Sequence, residues 1–357
     1  MKMRVVLSLI PLFFSVRAGD IGSDTAVNRF NTQQTLDDGD RIAGFAALAA
    51  GFMLLGSNVT GTFDSFFPVS GAIDLNLGTL SLNQDLILHN ISSISEWGNI
   101  NGNNHVLEFA PSVDCMPSGT GSVTFDNLHM VFDGNTTFNA PPIKFSGESS
   151  IDGRGNVISF SPTFSIDVQA NASLLLKDVI LQGINNQNIS LTDSTSTVSF
   201  QDVELILDDD YTFDAGRIDL IRNLKLTGDG NAFIYQSTNA FTIKGRAPQE
   251  LVGSACQPGY CGALILDRGV TFSYDVASSS LLVLEDDSSQ IIMNSATLAA
   301  TNGLDLTKGT LKIDGKSSFM SADGITYGDG TAANNLCIEM LPAAVLEVTG
   351  PLITKNV

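Results

Sequence analysis

The sequence predicts an all-β protein wound as a parallel β-solenoid, in which turns (rungs) of about 20–25 residues stack on one another. Two patterns predict this fold. Short runs alternate apolar and polar residues, which is typical of strands with one buried face. The segments beside these runs also repeat along the chain. The alternating runs are Ser122–Phe132, Leu174–Leu181 and Leu264–Tyr274, and the repeated segments are Ile100–Phe109 (INGNNHVLEF), Ile151–Phe160 (IDGRGNVISF) and Leu226–Tyr235 (LTGDGNAFIY).

The spacing of polar breaks sets the expected rung length. Asn127, Asp178, Asp202 and Asn223 follow one another at intervals of 51, 24 and 21 residues, and the interval of 51 is interpreted as two rungs. One rung cannot bury its inward side chains alone, whereas rungs stacked about 4.8 Å apart share a continuous apolar core. A pair of β-sandwiches is the alternative, and it is disfavoured because a sandwich does not require turn residues to recur in register.

The beginning of the chain is expected to differ from the rest. Residues 1–18 match a secretory signal peptide, with a basic start, an apolar run and a small-residue cleavage site. Residues 19–60 are predicted as an N-terminal segment in which Ile42–Leu55 forms a short helix, capped by Asp40, over the open end of the solenoid. Membrane attachment or a subunit contact is the alternative for this run, although its 14 residues fall short of the roughly 20 that span a bilayer. The solenoid is predicted over 61–357, with no segment suited to cross a membrane as a helix.

Composition and charge narrow the function classes. Charged residues make up 16% of the chain and hydrophobic residues 43%, a balance that disfavours a helical enzyme with charged outer faces. The formal net charge is −20, and removal of the signal peptide takes three basic and no acidic residues, leaving −23. Such a surface repels phosphate backbones, so nucleic acid is not expected as a partner. Acidic polysaccharides would need a divalent cation as a bridge.

Four cysteines in an exported chain predict disulfide bonds. Cys256 and Cys261 flank a Pro-Gly turn that can bring two thiols within bridging range. Cys115 and Cys337 either form the other pair or stay free, and three connectivities remain open. Zinc is not expected, because the three histidines are scattered and the cysteine spacing does not match a zinc site.

The third repeat contains an insertion near Gly245–Gly262 that the first two repeats lack. It carries Cys256, Tyr260 and Cys261, and inserted loops on solenoids commonly carry binding functions. These three residues are therefore the predicted ligand-binding loop. Protection from proteolysis explains a disulfide in the loop equally well.

The repeats resemble those of the pectate-lyase-like right-handed parallel β-helix superfamily. The shared features are the I-x-G-x-x-x-V-x-x-F motif of the first two repeats and the K-D-V-x-L run at Lys177–Leu181. Gly71–Leu88 and Leu304–Gly315 are similar to passenger repeats of bacterial autotransporters and polymorphic outer-membrane proteins. The resemblance covers roughly residues 70–330 and implies a right-handed coil. The polygalacturonase-type motif Gly-His-Gly is missing, and the calcium carboxylates and base of the lyases are not assembled.

Asp178 and Asp202 are the candidate catalytic pair. They are expected at equivalent breaks one rung apart, which would place two carboxylates about 5 Å from each other, a separation that suits a retaining glycosidase. A turn ladder with solvated or cation-sharing carboxylates is the alternative interpretation. No cofactor or metal is predicted; calcium is possible at the acidic runs, although the spacing of known calcium loops is missing.

Three functions follow from these observations. The preferred one is a secreted or cell-surface structural or adhesive solenoid without catalytic activity, whose partner is a glycan or protein on a host or neighbouring cell surface. The second is a glycan-cleaving lyase or hydrolase on the same fold, with Asp178 and Asp202 as acid and nucleophile. The third is a fibre subunit that assembles with other copies through uncapped rungs.

Overall fold

The computed structural model confirms an all-β parallel solenoid. It describes the side chains of residues 79–88, 98–111, 122–138, 142–186, 188–245, 262–328 and 336–353, and the backbone of further strands before residue 96 and at Thr354. The described part of the chain consists of strands and turns and contains no helix.

The strands are short and follow one another closely. The N-terminal strands are β1 (Asp20–Ile21), β2 (Val27–Arg29), β3 (Gln34–Leu36), β4 (Arg41–Ile42), β5 (Phe45–Ala47), β6 (Phe52–Leu55), β7 (Thr60–Phe63), β8 (Ala72–Asp74), β9 (Thr79–Leu82), β10 (Leu86–Leu88), β11 (Ser93–Ser95), β12 (Asn99–Asn101) and β13 (Val106–Phe109). The central strands are β14 (Val123–Asp126), β15 (His129–Phe132), β16 (Thr136–Phe138), β17 (Ile143–Ser146), β18 (Glu148–Phe160), β19 (Ile166–Val168), β20 (Ser173–Ile184), β21 (Ile189–Leu191), β22 (Thr197–Leu207), β23 (Tyr211–Phe213), β24 (Arg217–Leu220), β25 (Asn223–Thr227), β26 (Ala232–Tyr235) and β27 (Phe241–Ile243). The C-terminal strands are β28 (Ala263–Leu266), β29 (Thr271–Tyr274), β30 (Leu282–Leu284), β31 (Gln290–Asn294), β32 (Thr297–Ala300), β33 (Leu304–Leu306), β34 (Thr310–Asp314), β35 (Lys316–Met320), β36 (Ile325–Tyr327), β37 (Cys337–Met340), β38 (Val345–Thr349) and β39 (Leu352–Thr354).

From β17 onward, each rung contributes strands to three faces. Face 1 holds the sheet that ends in β17-β19-β21 and the six-stranded sheet β23-β26-β29-β32-β35-β38. Faces 2 and 3 meet in one fifteen-stranded sheet, because β18, β20 and β22 run around the corner between them. Their first halves lead into face 2 (β24, β27, β30) and their second halves into face 3 (β25, β28, β31, β34, β37). The strands β33, β36 and β39 follow β30 on face 2.

The register gives the rung length directly. Leu174, Val198 and Ile218 lie side by side on three successive rungs and are 24 and 20 residues apart in sequence. Leu264 pairs with Ile291, 27 residues further on. The prediction of stacked rungs is therefore confirmed, with a slightly wider range of lengths than the repeats indicate. The right-handed sense of the coil stays a prediction.

Aromatic rings stack in register inside face 1. The ring centroid of Phe272 lies 5.7 Å from that of Phe233, with an angle of 8° between the ring planes. Tyr235 stacks in the same way between Phe213 and Tyr274, at 5.7 and 6.2 Å. The Tyr235 hydroxyl donates a hydrogen bond to a main-chain carbonyl, and burial raises the pKa of Tyr235 above its usual value. Parallel in-register pairing places equivalent side chains directly above one another, which explains why the inward column is continuous.

The repeated segments mark corners rather than equivalent positions. Ile100 lies on face 1 beside Phe125, whereas Ile151 lies on face 2 beside Met130. The third copy, Leu226–Tyr235, turns from face 3 into face 1. The interpretation of a 51-residue offset as two complete rungs is therefore wrong for these segments.

Local turn chemistry explains why one motif serves several corners. Asn103, Arg154 and Gly230 all have positive φ, at 49°, 48° and 90°. A tight corner needs such residues wherever it lies, and Gly and Asn adopt this conformation most easily. Asn127 has a φ of 49° and likewise turns the chain from face 1 into face 2, so it is not equivalent to Asp178.

The predicted capping helix over Ile42–Leu55 is wrong. The described residues of this run belong to β4, β5 and β6, and each of these strands pairs in parallel with a strand of a neighbouring rung. The run is apolar throughout and lacks the polar face of a surface helix, while continuous apolar runs suit parallel strands. Residues 1–18 lie outside the described residues, so the signal peptide stays a prediction. In the part of the chain that the structure describes, no helix has the length and apolar character to cross a membrane.

The rung formed by β37, β38 and β39 exposes side chains of the core type. Ile338, Met340 and Leu352 are 38%, 45% and 49% exposed, although they pair with positions that are buried in the preceding rung. These side chains continue the apolar column, and among the described residues no strand lies over them.

Candidate functional site

Asp178 and Asp202 occupy the same corner on consecutive rungs. Lys177 pairs with Gln201 and Val179 pairs with Val203, so the two aspartates lie opposite each other where face 2 turns into face 3. This confirms the predicted equivalence. Their φ angles are 50° and 56°, a left-handed conformation that Asp and Asn tolerate better than most residues. Both aspartates therefore have a structural reason to be at these positions.

The Asp202 carboxylate is held by two neighbours from the next rung. Arg222 donates to one oxygen from Nη1 at 3.3 Å, and Asn223 donates to the other from Nδ2 at 3.3 Å. Asp178 is exposed to solvent. A retaining glycosidase needs one carboxyl as a proton donor and a second, free carboxylate as nucleophile. Because both oxygens of Asp202 are already engaged, the pair fits a corner ladder better than a catalytic dyad.

The predicted insertion leaves the solenoid at this same corner. Ile243 ends β27 on face 2 and Ala263 begins β28 on face 3, and residues 246–261 between them lie outside the described residues. We call the junction of faces 2 and 3 the insertion corner. Asp178, Asp202 and the two ends of the insertion form one row along it.

An ion-pair cluster lies at the N-terminal foot of the insertion. The Lys244 ammonium is 3.9 Å from Asp219 and 3.7 Å from Glu285, on the rungs before and after it. Glu285 also accepts a hydrogen bond from the main-chain N–H of Gly245 at 2.9 Å. The side chain of Lys244 is 30% exposed, so the cluster is partly shielded from water. Its ion pairs link three successive rungs at this point.

The two ends of the insertion are glycines for reasons of space. A Cβ atom on Gly245 would lie 1.9 Å from Oδ2 of Asp286, and one on Gly262 would lie 2.5 Å from the main-chain oxygen of Lys244. Real Cβ atoms do not approach other atoms so closely, so a larger residue at Gly245 requires the Asp286 side chain to move, and one at Gly262 requires the main chain to shift. No sequence motif marks this arrangement, because Asp219, Lys244 and Glu285 are far apart in the chain.

The predicted loop residues and disulfides are only partly visible. Cys115, Cys256, Tyr260 and Cys261 lie outside the described residues, so their roles stay predictions. Cys337 is exposed and has no disulfide partner within the part of the chain that the structure describes. Among the described residues, no group of three or more His, Cys, Asp or Glu side chains is arranged to hold a metal ion.

Carboxylates elsewhere on the surface are stabilised as anions by hydrogen bonds. Asp275 accepts from Oγ1 of Thr301 at 2.7 Å and from Nε2 of Gln236 at 2.8 Å, and these bonds hold its pKa below the usual value. The main-chain N–H of Arg268 and the nearby Lys225 lower the pKa of Asp267 in the same way. Such bonds tie neighbouring rungs together on the outer surface.

Comparisons with protein-family models, with curated proteins and with solved structures found no match to this chain.

Proposed function

We propose that this protein is a secreted or cell-surface scaffold that binds a glycan or protein of a neighbouring cell through the insertion at residues 246–261. The observation that carries the proposal is the anchoring of the insertion at both ends. Gly245 is hydrogen-bonded and packed against the next rung, and Gly262 packs against the main chain of Lys244. Fixing both attachment points to a continuously packed column removes freedom from the two ends of a binding loop, which lowers the entropic cost of binding.

Binding is favoured over catalysis by the chemistry of the insertion corner. The carboxylate of Asp202 is engaged by Arg222 and Asn223, and that of Glu285 by Lys244 and Gly245. Ion pairs and hydrogen bonds of this kind rigidify a surface rather than prepare a proton transfer. A glycan-cleaving activity would instead require product release from a polysaccharide panel that disappears in the Asp202→Asn variant.

Replacement of the insertion tests the proposal. Residues 246–261 are exchanged for an Asn-Gly turn, and binding to glycan arrays and to fixed cells is measured beside the wild-type chain. The expected result is loss of binding with an unchanged β-sheet circular dichroism spectrum. A matched control changes Asp208 and Asp209, exposed at the opposite corner between faces 3 and 1, to Asn and is expected to bind normally. Full binding by the loop-replaced protein would contradict the proposal.

End-to-end assembly is a second candidate, favoured by the exposed side chains of β37 and β39. Ile338, Met340 and Leu352 continue the core column, and a strand edge beside them can pair with another chain. Sedimentation velocity over a concentration series measures this. Growth in mass that is lost in Met340→Lys supports assembly, whereas a constant monomer mass excludes it.

A further inference from the structure

Face 2 contains a break in its hydrogen-bonded sheet. β24, β27 and β30 pair in succession, and β33, β36 and β39 do the same, but among the described strands β30 and β33 do not pair with each other. Two hydrogen bonds cross the break at one end. The main-chain N–H of Asp305 donates to the Ser279 carbonyl at 2.8 Å, and the Ser279 hydroxyl donates to the Asp305 carboxylate at 2.8 Å.

A shallow cleft of about 370 Å³ opens along this break. Val283 and Asp305 are the outward-facing central residues of β30 and β33, since the leucines on either side of each are buried. The remaining polar wall comes from Ser280, Thr307 and Lys308. The cleft therefore has an apolar patch, one carboxylate, one ammonium group and two hydroxyls.

Lys308 is the unusual member of this set. Lys244 lies at the same corner two rungs earlier, and Lys312 lies on β34, the next strand of the same rung. Each of these two lysines is within ion-pair distance of a glutamate. Lys308 forms no ion pair within the described part of the chain and is half-buried. Lys308 directly follows β33, so it lines the cleft from the same side as Asp305, and the two side chains together offer hydrogen-bond donors and an acceptor.

The cleft also lies between two insertions on the same side of the solenoid. Residues 246–261 leave the insertion corner one rung before β30, and residues 329–335 leave it one rung after β33. The described residues flanking both segments place their attachment points on either side of the cleft.

We propose that this cleft binds one sugar unit of a neutral glycan. A pyranose offers hydroxyls that both donate and accept, which match the ammonium, carboxylate and hydroxyl groups, and an apolar ring face that matches Val283. The positive charge of Lys308 and the negative charge of Asp305 cancel within the cleft. The net charge of −20 of the whole chain disfavours acidic polymers. The volume lies at the lower end of the range of about 300–1,000 Å³ for small-ligand sites. This inference rests on the proposed function, because it names the glycan class that the scaffold would bind.

Titration with neutral trisaccharides tests the inference on the full chain. Cellotriose, maltotriose, xylotriose and chitotriose are added separately to protein with ¹³C-labelled valine methyl groups, and trigalacturonic acid serves as the acidic comparison. Binding of at least one neutral trimer is expected to shift the Val283 methyl signals. Lys308→Met is expected to weaken that binding at least tenfold, while the matched change Lys316→Met, at a lysine that is paired with Glu347 outside the cleft, leaves it unchanged.

The outcomes separate this inference from the proposed function. No shift of Val283 with any neutral trimer, or equal affinity of the wild-type and Lys308→Met proteins, overturns the cleft assignment. If the loop-replaced protein then still loses binding to cells, the scaffold proposal stands without the cleft. Binding of trigalacturonic acid alone overturns the assignment to neutral sugars.

Discussion

Removal of one ring from the stacked aromatic column should destabilise a few rungs and leave distant rungs unchanged. Phe272 is fully buried, stacks on Phe233 at 5.7 Å and meets Phe241 edge-on at 5.6 Å. Truncation of a buried Phe to Ala costs about 3–5 kcal/mol through lost burial and the cavity that remains. Loss of the two ring pairs places Phe272→Ala in the middle to upper part of this range, so we expect about 4 kcal/mol.

Hydrogen exchange measured by mass spectrometry resolves this effect along the chain. A loss of about 4 kcal/mol corresponds to roughly a thousandfold faster exchange, because each 1.4 kcal/mol is about a factor of ten. The acceleration should be confined to peptides from β26, β27, β29 and β32, since solenoid stability is a sum of neighbour contacts. The control Ser273→Ala, next along β29 and facing outward, should change stability by less than about 0.5 kcal/mol. Equal effects of the two variants, or uniform acceleration over the whole chain, would refute the stacked-column reasoning.

Three further predictions concern corners and surface carboxylates. Asp202→Asn should keep the urea midpoint because Asn tolerates a φ of 56°, whereas Asp202→Ala should lose about 1–2 kcal/mol; equal midpoints would contradict this. Gly245→Ala should speed proteolytic cutting of the insertion, because its Cβ meets Asp286, and the double variant with Asp286→Ala should be cut no faster than Asp286→Ala alone. The pKa of Asp275 is lowered by its hydrogen bonds, so its stabilising effect is complete above the ordinary carboxyl pKa of about 4 and is lost as the pH falls through the lowered value. Asp275→Asn should therefore flatten the fall of the urea midpoint below pH 4 and leave its slope between pH 5 and 7 unchanged; an unchanged acid slope would contradict the assignment.

The presence of strands and the identity of their inward-facing side chains can be predicted from the alternation of apolar and polar residues alone. Runs such as Leu174–Leu181 alternate buried and outward residues because a strand exposes successive side chains on opposite sides. The equivalence of Asp178 and Asp202 followed for the same reason, since the flanking runs have equal length on both rungs. Local pattern and fold agree at these positions.

Features that depend on long-range pairing were beyond such reasoning. The repeated turn motif specifies a residue in the left-handed backbone conformation, but it does not specify the face into which the turn leads. The sequence pattern therefore aligns Ile100 with Ile151, although the two residues lie on different faces. The run Ile42–Leu55 has no periodic pattern of polar residues that would distinguish a helix from strands. Its strands are determined by pairing with neighbouring rungs, which the local sequence does not show. The break between β30 and β33 has no local signature, because both strands alternate normally.

Methyl nuclear Overhauser effects between successive rungs test the parallel stacking most directly. Leu174, Val198 and Ile218 are consecutive members of one buried column. Stacking at about 4.8 Å predicts strong cross-peaks between Leu174 and Val198 and between Val198 and Ile218, with little intensity between Leu174 and Ile218 at about twice that spacing. Absence of the first two cross-peaks, or a dominant Leu174–Ile218 peak, would contradict the solenoid.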